Sequence, residues 1–194
     1  MVKSSHVNLG GKFMTLEKSN MKRMCSFCVS DWHMATTILP YIKERTENNE
    51  KVVSICEKGI EGNIIKLLER MKIEKSTKNK ISQINWETKH WDKYEQFEYF
   101  MEGNYTDNIN VVVKGTTEYI EKINSYIDNW IEKNSSRIKK EHSNVKVISC
   151  YNMSENIVKE NILSKYNYVL NTTGEKEVKE YFGIETISKL KIAK

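Results

Sequence analysis

The stretch Met24-Cys25-Ser26-Phe27-Cys28-Val29-Ser30-Asp31-Trp32-His33 carries a short apolar run straight into a polar turn and the start of a helical pattern. Residues 24–29 have the composition of a buried strand, and Ser30 and Asp31 are residue types that helix N-termini favour. A strand feeding directly into a helix opens a βαβ unit, so this junction decides the fold class. In many such folds the first junction holds a glycine-rich phosphate cradle; here Ser, Asp, Trp and His stand in its place.

The alternation continues outward from that point. Apolar runs of strand length recur at 52–56, 81–86, 109–113, 145–150 and 168–171, which predicts six strands in all. Between them, Ile60, Ile64, Leu67, Leu68 and Met71 fall on one helical face, and Ile120, Ile123, Ile127, Trp130 and Ile131 on another. Strands separated by helices pair in parallel through right-handed crossovers, so the expected fold is a three-layer α/β sandwich with a mostly parallel central sheet. Pro40 lies inside the first helical pattern, which either kinks there or begins its regular part at the proline. The aromatic-rich segment 87–108 predicts a helix between long loops and is the expected place for a lid. Residues 1–20 read as an arm or lead-in helix, 21–183 as a single α/β domain, and 184–194 as a tail.

Composition narrows the function classes. With 194 residues, 39% hydrophobic and 29% charged, the chain has the balance of one soluble domain, and no run approaches the roughly 20 apolar residues of a membrane span. The first residues have no apolar stretch of signal-peptide length behind them, so a cytoplasmic protein is expected. The net charge of +5 is scattered along the chain, which argues for a solvated surface rather than a nucleic-acid footprint. The four cysteines all fall in strand-like segments and read as reduced core residues. Cys25 and Cys28, in one strand, lie roughly 10 Å apart and on opposite faces, too far for a disulfide and poorly placed to chelate. No cofactor or metal is expected.

Ligands of parallel α/β folds bind outside the carboxyl ends of the strands. The residues following the predicted strands therefore nominate Trp32, His33, Glu57, Trp86, Gly115, Thr116, Glu118 and Tyr151 as ligand contacts. Several have an ordinary structural explanation as helix caps, Thr116 above all. The chain lacks the P-loop run, the Gly-x-Ser-x-Gly elbow and the dinucleotide fingerprint. Lys114-Gly115-Thr116-Thr117 echoes only the end of a P-loop, without its preceding glycine.

Four segments carry a family resemblance: Leu39-Pro40-Tyr41-Ile42, Asn49-Glu50-Lys51-Val52-Val53, Val111-Val112-Val113-Lys114-Gly115 and Ser149-Cys150-Tyr151-Asn152. In their order and across about residues 20–173 the chain resembles the MEDS domain, a methanogen/methylotroph sensory domain. It departs from that pattern at Arg23 and Met24, where the family has a histidine, at Asn152 in place of an aspartate, and at Tyr166-Asn167 in place of His-Pro. The resemblance implies a degenerate P-loop NTPase-like, RecA/KaiC-type fold and a non-catalytic role in sensing a small, hydrocarbon-like ligand. With no DNA-binding or kinase pattern alongside it, the signal is expected to pass through a regulatory protein partner or through self-association. The alternatives are a docking module that needs no ligand and a divergent nucleotide-binding enzyme with a phosphate site on the Lys114-Gly115-Thr116 turn.

Overall fold

Continuous runs of apolar residues suit strands buried on both faces, and the sheet is built from them. The computed structural model describes residues 21–140, 143–153 and 162–182. The arm proposed for 1–20 and the tail proposed for 184–194 lie outside those residues. In chain order the described elements are β1 (Met21–Cys28), α1 (Asp31–Glu47), β2 (Lys51–Cys56), α2 (Glu61–Arg70), α3 (Lys75–Ser82), α4 (Tyr94–Asn104), β3 (Asn108–Gly115), α5 (Thr117–Lys133), α6 (Ser135–Lys140), β4 (Asn144–Asn152), β5 (Tyr168–Asn171), β6 (Gly174–Glu177) and α7 (Val178–Phe182).

The strands form one six-stranded sheet in the order β2-β3-β4-β1-β5-β6. All pairs are parallel except the β5–β6 hairpin. One face of the sheet packs on α1, α2 and α3 through Met24, Val52, Val112 and Ile148 against Ala35, Ile38, Ile42, Ile64 and Ile81. The other packs on α4 and α5 through Val53, Val111, Val113 and Val147 against Phe97, Met101, Ile120, Ile123, Ile127 and Trp130. The protein is therefore a three-layer α/β sandwich with a mostly parallel central sheet, as the alternation of elements predicts. Among the described residues, no helix is long and apolar enough to cross a membrane.

Three local expectations are corrected. Residues 81–86 are not a strand: Ile81 and Ser82 end α3, and the chain beyond them runs as a strap beside β2, with a parallel bridge between Cys56 and Thr88. Ile81 and Ile84 are three apart, so the run is also compatible with a helix end, and burial of Ile81 and Trp86 under α1 and α2 satisfies the same apolar residues without a ladder. The sixth strand is instead β6, Gly-Glu-Lys-Glu, whose wholly polar sequence carries no alternation; it is reached through Gly174 at a φ of 108°, a conformation that favours glycine. The segment 87–108, expected as a lid, lies packed against the core instead. Its Trp91, Tyr94, Phe97 and Phe100 pack on one another and on Tyr126 of α5 in edge-on and tilted pairs, which draws it onto the core of that face.

Pro40 sits inside α1, which begins at Asp31 and runs 17 residues through it. Pro40 lies on the exposed side of the helix, where a missing backbone donor is best tolerated. The helix is started by Ser30, whose hydroxyl accepts from the His33 amide at 3.1 Å.

Candidate functional site

Strand order positions the site. From β1 the chain crosses to β2 at the far edge, returns through β3 and β4, and then passes β1 to reach β5. Connections leaving β1 and β4 thus run in opposite directions, which opens a crevice at their carboxyl ends. A cleft of about 240 Å³ lies there. It is lined by Cys28, Ser30, Asp31 and Met34 at the β1–α1 junction, Glu57 and Lys58 after β2, Lys114, Gly115 and Thr116 after β3, and Cys150, Tyr151 and Asn152 at the end of β4.

Of the residues nominated from sequence, the cleft brings together Glu57, Gly115, Thr116 and Tyr151. It does not include Trp32, His33, Trp86 or Glu118. Trp32 is part-exposed on α1 with the Arg70 guanidinium 5.7 Å from its ring centroid. His33 accepts the Val29 amide at its Nδ1, 3.2 Å away, so its side chain closes the β1–α1 turn. Trp86 lies in the core, 1% exposed, held there because its carbonyl accepts from the Ile60 amide. Glu118 is on the exposed first turn of α5. The segment 87–108 contributes nothing to the lining.

Both helix N-termini at the cleft are satisfied by the chain's own groups. At α1 the Ser30 hydroxyl caps the helix and Asp31 places a carboxylate in the first turn. At α5 Thr116 is the cap, its hydroxyl accepting from the Tyr119 amide, while Glu57 Oε2 accepts from the Thr116 amide at 2.6 Å. The phosphate site conceivable on the Lys114-Gly115-Thr116 turn is therefore filled by the Glu57 carboxylate. Gly115 makes this possible: a Cβ there would stand 2.5 Å from the Tyr119 ring and 2.8 Å from Glu57 Oε2. Gly115→Ala is expected to cost about 1–2 kcal/mol in urea unfolding, because the ring and the carboxylate must both give way.

Lys114 and Asp31, not among the nominated contacts, form the charged centre of the cleft. Lys114 Nζ stands 2.9 Å from Asp31 Oδ1 and donates to the Lys58 carbonyl at 3.1 Å. Both follow strands in the sequence, but their pairing is legible only once register sets β3 and β1 on either side of β4. Cys28 and Cys150 were expected in the core; they are buried and also line the cleft. Burial pushes both thiols up, Cys150 well above its ordinary value, and pushes nearby Cys56 to about 11. They are neutral at physiological pH, and as neutral thiols they are contact surfaces more than nucleophiles. Burial, with Tyr166 beside it, also raises the Tyr151 phenol, whose oxygen lies 2.9 Å from the Tyr166 hydroxyl. Among the described residues, no group of three or more His, Cys, Asp or Glu side chains is placed to hold a metal ion. Comparison of the chain with protein-family models and with curated proteins returns no match.

Proposed function

We propose that this chain is a non-catalytic sensory domain that binds a small molecule in the cleft and passes its occupancy to a partner protein or a second copy. The observation that carries the reading is the cleft at the strand carboxyl ends, whose helix N-termini are already capped by Ser30 at α1 and by Thr116, with Glu57, at α5. A phosphate entering it would find the Glu57 carboxylate on the Thr116 amide where phosphate-binding folds offer a bare one. What is left for a ligand is an apolar floor of Cys28, Met34 and Cys150 beneath one ion pair, a few orienting groups over an apolar surface. The resemblance to MEDS domains supports the same class of function. A docking module without a ligand is the second reading, favoured by Val29, 66% exposed, and Trp32, 38% exposed, beside the rim.

Thermal unfolding against a panel of nucleotides and small metabolites tests the proposal. A ligand that binds only the native state at 100 times its dissociation constant adds about 2.7 kcal/mol. A small amphiphilic metabolite is expected to raise the midpoint, and ATP and GTP to leave it unchanged. A shift with either nucleotide overturns the sensory reading in favour of an enzyme, and silence across the panel transfers it to the docking module.

A further inference from the structure

We propose that the cleft takes a free amino acid with a medium-sized apolar side chain, its carboxylate on Lys114 and its ammonium on Asp31. The inference rests on the reading of the cleft as a ligand site and names the class of ligand.

Charge balance comes first. The lining contains two carboxylates, Asp31 and Glu57, and two ammonium groups, Lys58 and Lys114. Glu57 is committed to the Thr116 amide and hydroxyl, whereas Asp31 and Lys114 hold each other across the opening. Lys114 is largely buried, its side chain 14% exposed, so it is not free to lose its counter-charge to water. An amine that drew Asp31 away would strand the mostly buried Lys114, and an acid that drew Lys114 away would leave Asp31, 40% exposed, matched by water alone. A zwitterion replaces one ion pair with two and leaves neither group unmatched.

Size and surface agree with this choice. The volume of about 240 Å³ is roughly eight times the ~30 Å³ share of a water in the liquid, room for about eight non-hydrogen atoms. That matches an amino acid such as leucine or methionine. The floor presents the thioether of Met34 and the neutral thiols of Cys28 and Cys150, soft surfaces that suit an aliphatic or thioether chain.

The test is calorimetric titration of the whole chain with L-leucine and L-methionine, with 4-methylpentanoate and isoamylamine, which each keep one charge, and with isoamyl alcohol, which keeps none. Both amino acids are expected to bind, and the three analogues to bind at least tenfold more weakly. Lys114→Met and Asp31→Asn, checked for folding by circular dichroism, are each expected to weaken amino-acid binding at least tenfold; the analogue series on the unaltered chain carries the test if either variant fails to fold. Equal affinity for the alcohol or for a singly charged analogue overturns the amino-acid proposal and leaves the cleft as a ligand site. Amino-acid binding that survives both substitutions overturns it as well. Silence from all five compounds also overturns it, and the broader panel described above then decides whether the cleft binds anything else.

Discussion

Replacing Trp130 with alanine is expected to lower stability by about 3–5 kcal/mol, the range for removing a large, fully buried aromatic side chain. Trp130 is 0% exposed on α5, packs beside Tyr105 with ring centroids 5.4 Å apart, and donates from its indole nitrogen to Glu102 Oε1 of α4 at 2.9 Å. The substitution therefore opens a void beneath two helices and removes the hydrogen bond that ties them. Glu102 is not stranded, because its other oxygen accepts from Arg137 at 2.9 Å, so the loss is one of packing more than of an unmet charge. For a domain of this size a deficit of about 4 kcal/mol lowers the melting midpoint by roughly 8–16 °C. Urea unfolding followed by circular dichroism measures it; a loss below about 1 kcal/mol contradicts the packing described for this face.

The second large effect lies at the opposite end of the sheet from the cleft. Glu50, in the turn between α1 and β2, accepts from Asn110 of β3 at 2.9 Å, Lys146 of β4 at 3.0 Å and Arg45 of α1 at 3.3 Å. Asn110 is wholly buried and itself accepts from the Tyr41 hydroxyl at 2.7 Å. Glu50→Ala leaves two mostly buried cations and a buried amide without their shared partner, and a cost of about 2–4 kcal/mol is expected. The pH dependence has a definite sign. Burial opposes the charge on Glu50, but the hydrogen bonds from Asn110 and Lys146, the Lys146 charge and the bond from Arg45 outweigh it and hold the carboxyl below its ordinary value. A native pKa below the unfolded one gives stability that is fully present above the unfolded value and is lost as pH falls through the native one. The gap between the parent chain and Glu50→Ala is thus expected to be constant between about pH 7 and 5 and to narrow below about pH 4. A gap that widens on acidification would contradict the network.

The sequence is legible where one residue type has one structural use. The valine and isoleucine run of β3 has no stable place except between two layers of helices, and the periodicity of α2 and α5 names their buried faces. Within 81–86 only the burial of Ile81 and Trp86 is legible, since spacing of three suits a helix end as well as an irregular strap. The hairpin strand β6 is invisible to any apolar pattern, because Glu175 and Glu177 leave it nothing to alternate. At the site, following each strand to its carboxyl end finds Glu57, Gly115, Thr116 and Tyr151, since direction alone places them. It misplaces Trp86 and Trp32, whose distance from the rim depends on how the chain turns after the strand. The Lys114–Asp31 pair escapes because it joins two strands that are not neighbours in sequence or in the sheet.

The two outer borders of the sheet bear on how a partner can attach. On one side β6 ends the ladder with Glu175, Lys176 and Glu177, and Lys22 reaches across to pair with Glu175. On the other, the strap after α3 lies along β2: the Ser54 hydroxyl donates to the Asn85 carbonyl, and the Lys89 amide donates to the Cys56 carbonyl. A charged rim and a tethered segment are two ways of discouraging strand addition. Recognition by β-augmentation is thereby disfavoured at both borders, as is runaway polymerisation through stacked sheets. On the proposed sensory reading, a partner protein is expected to grip helices or the loops around the cleft, where its grip can depend on what the cleft holds.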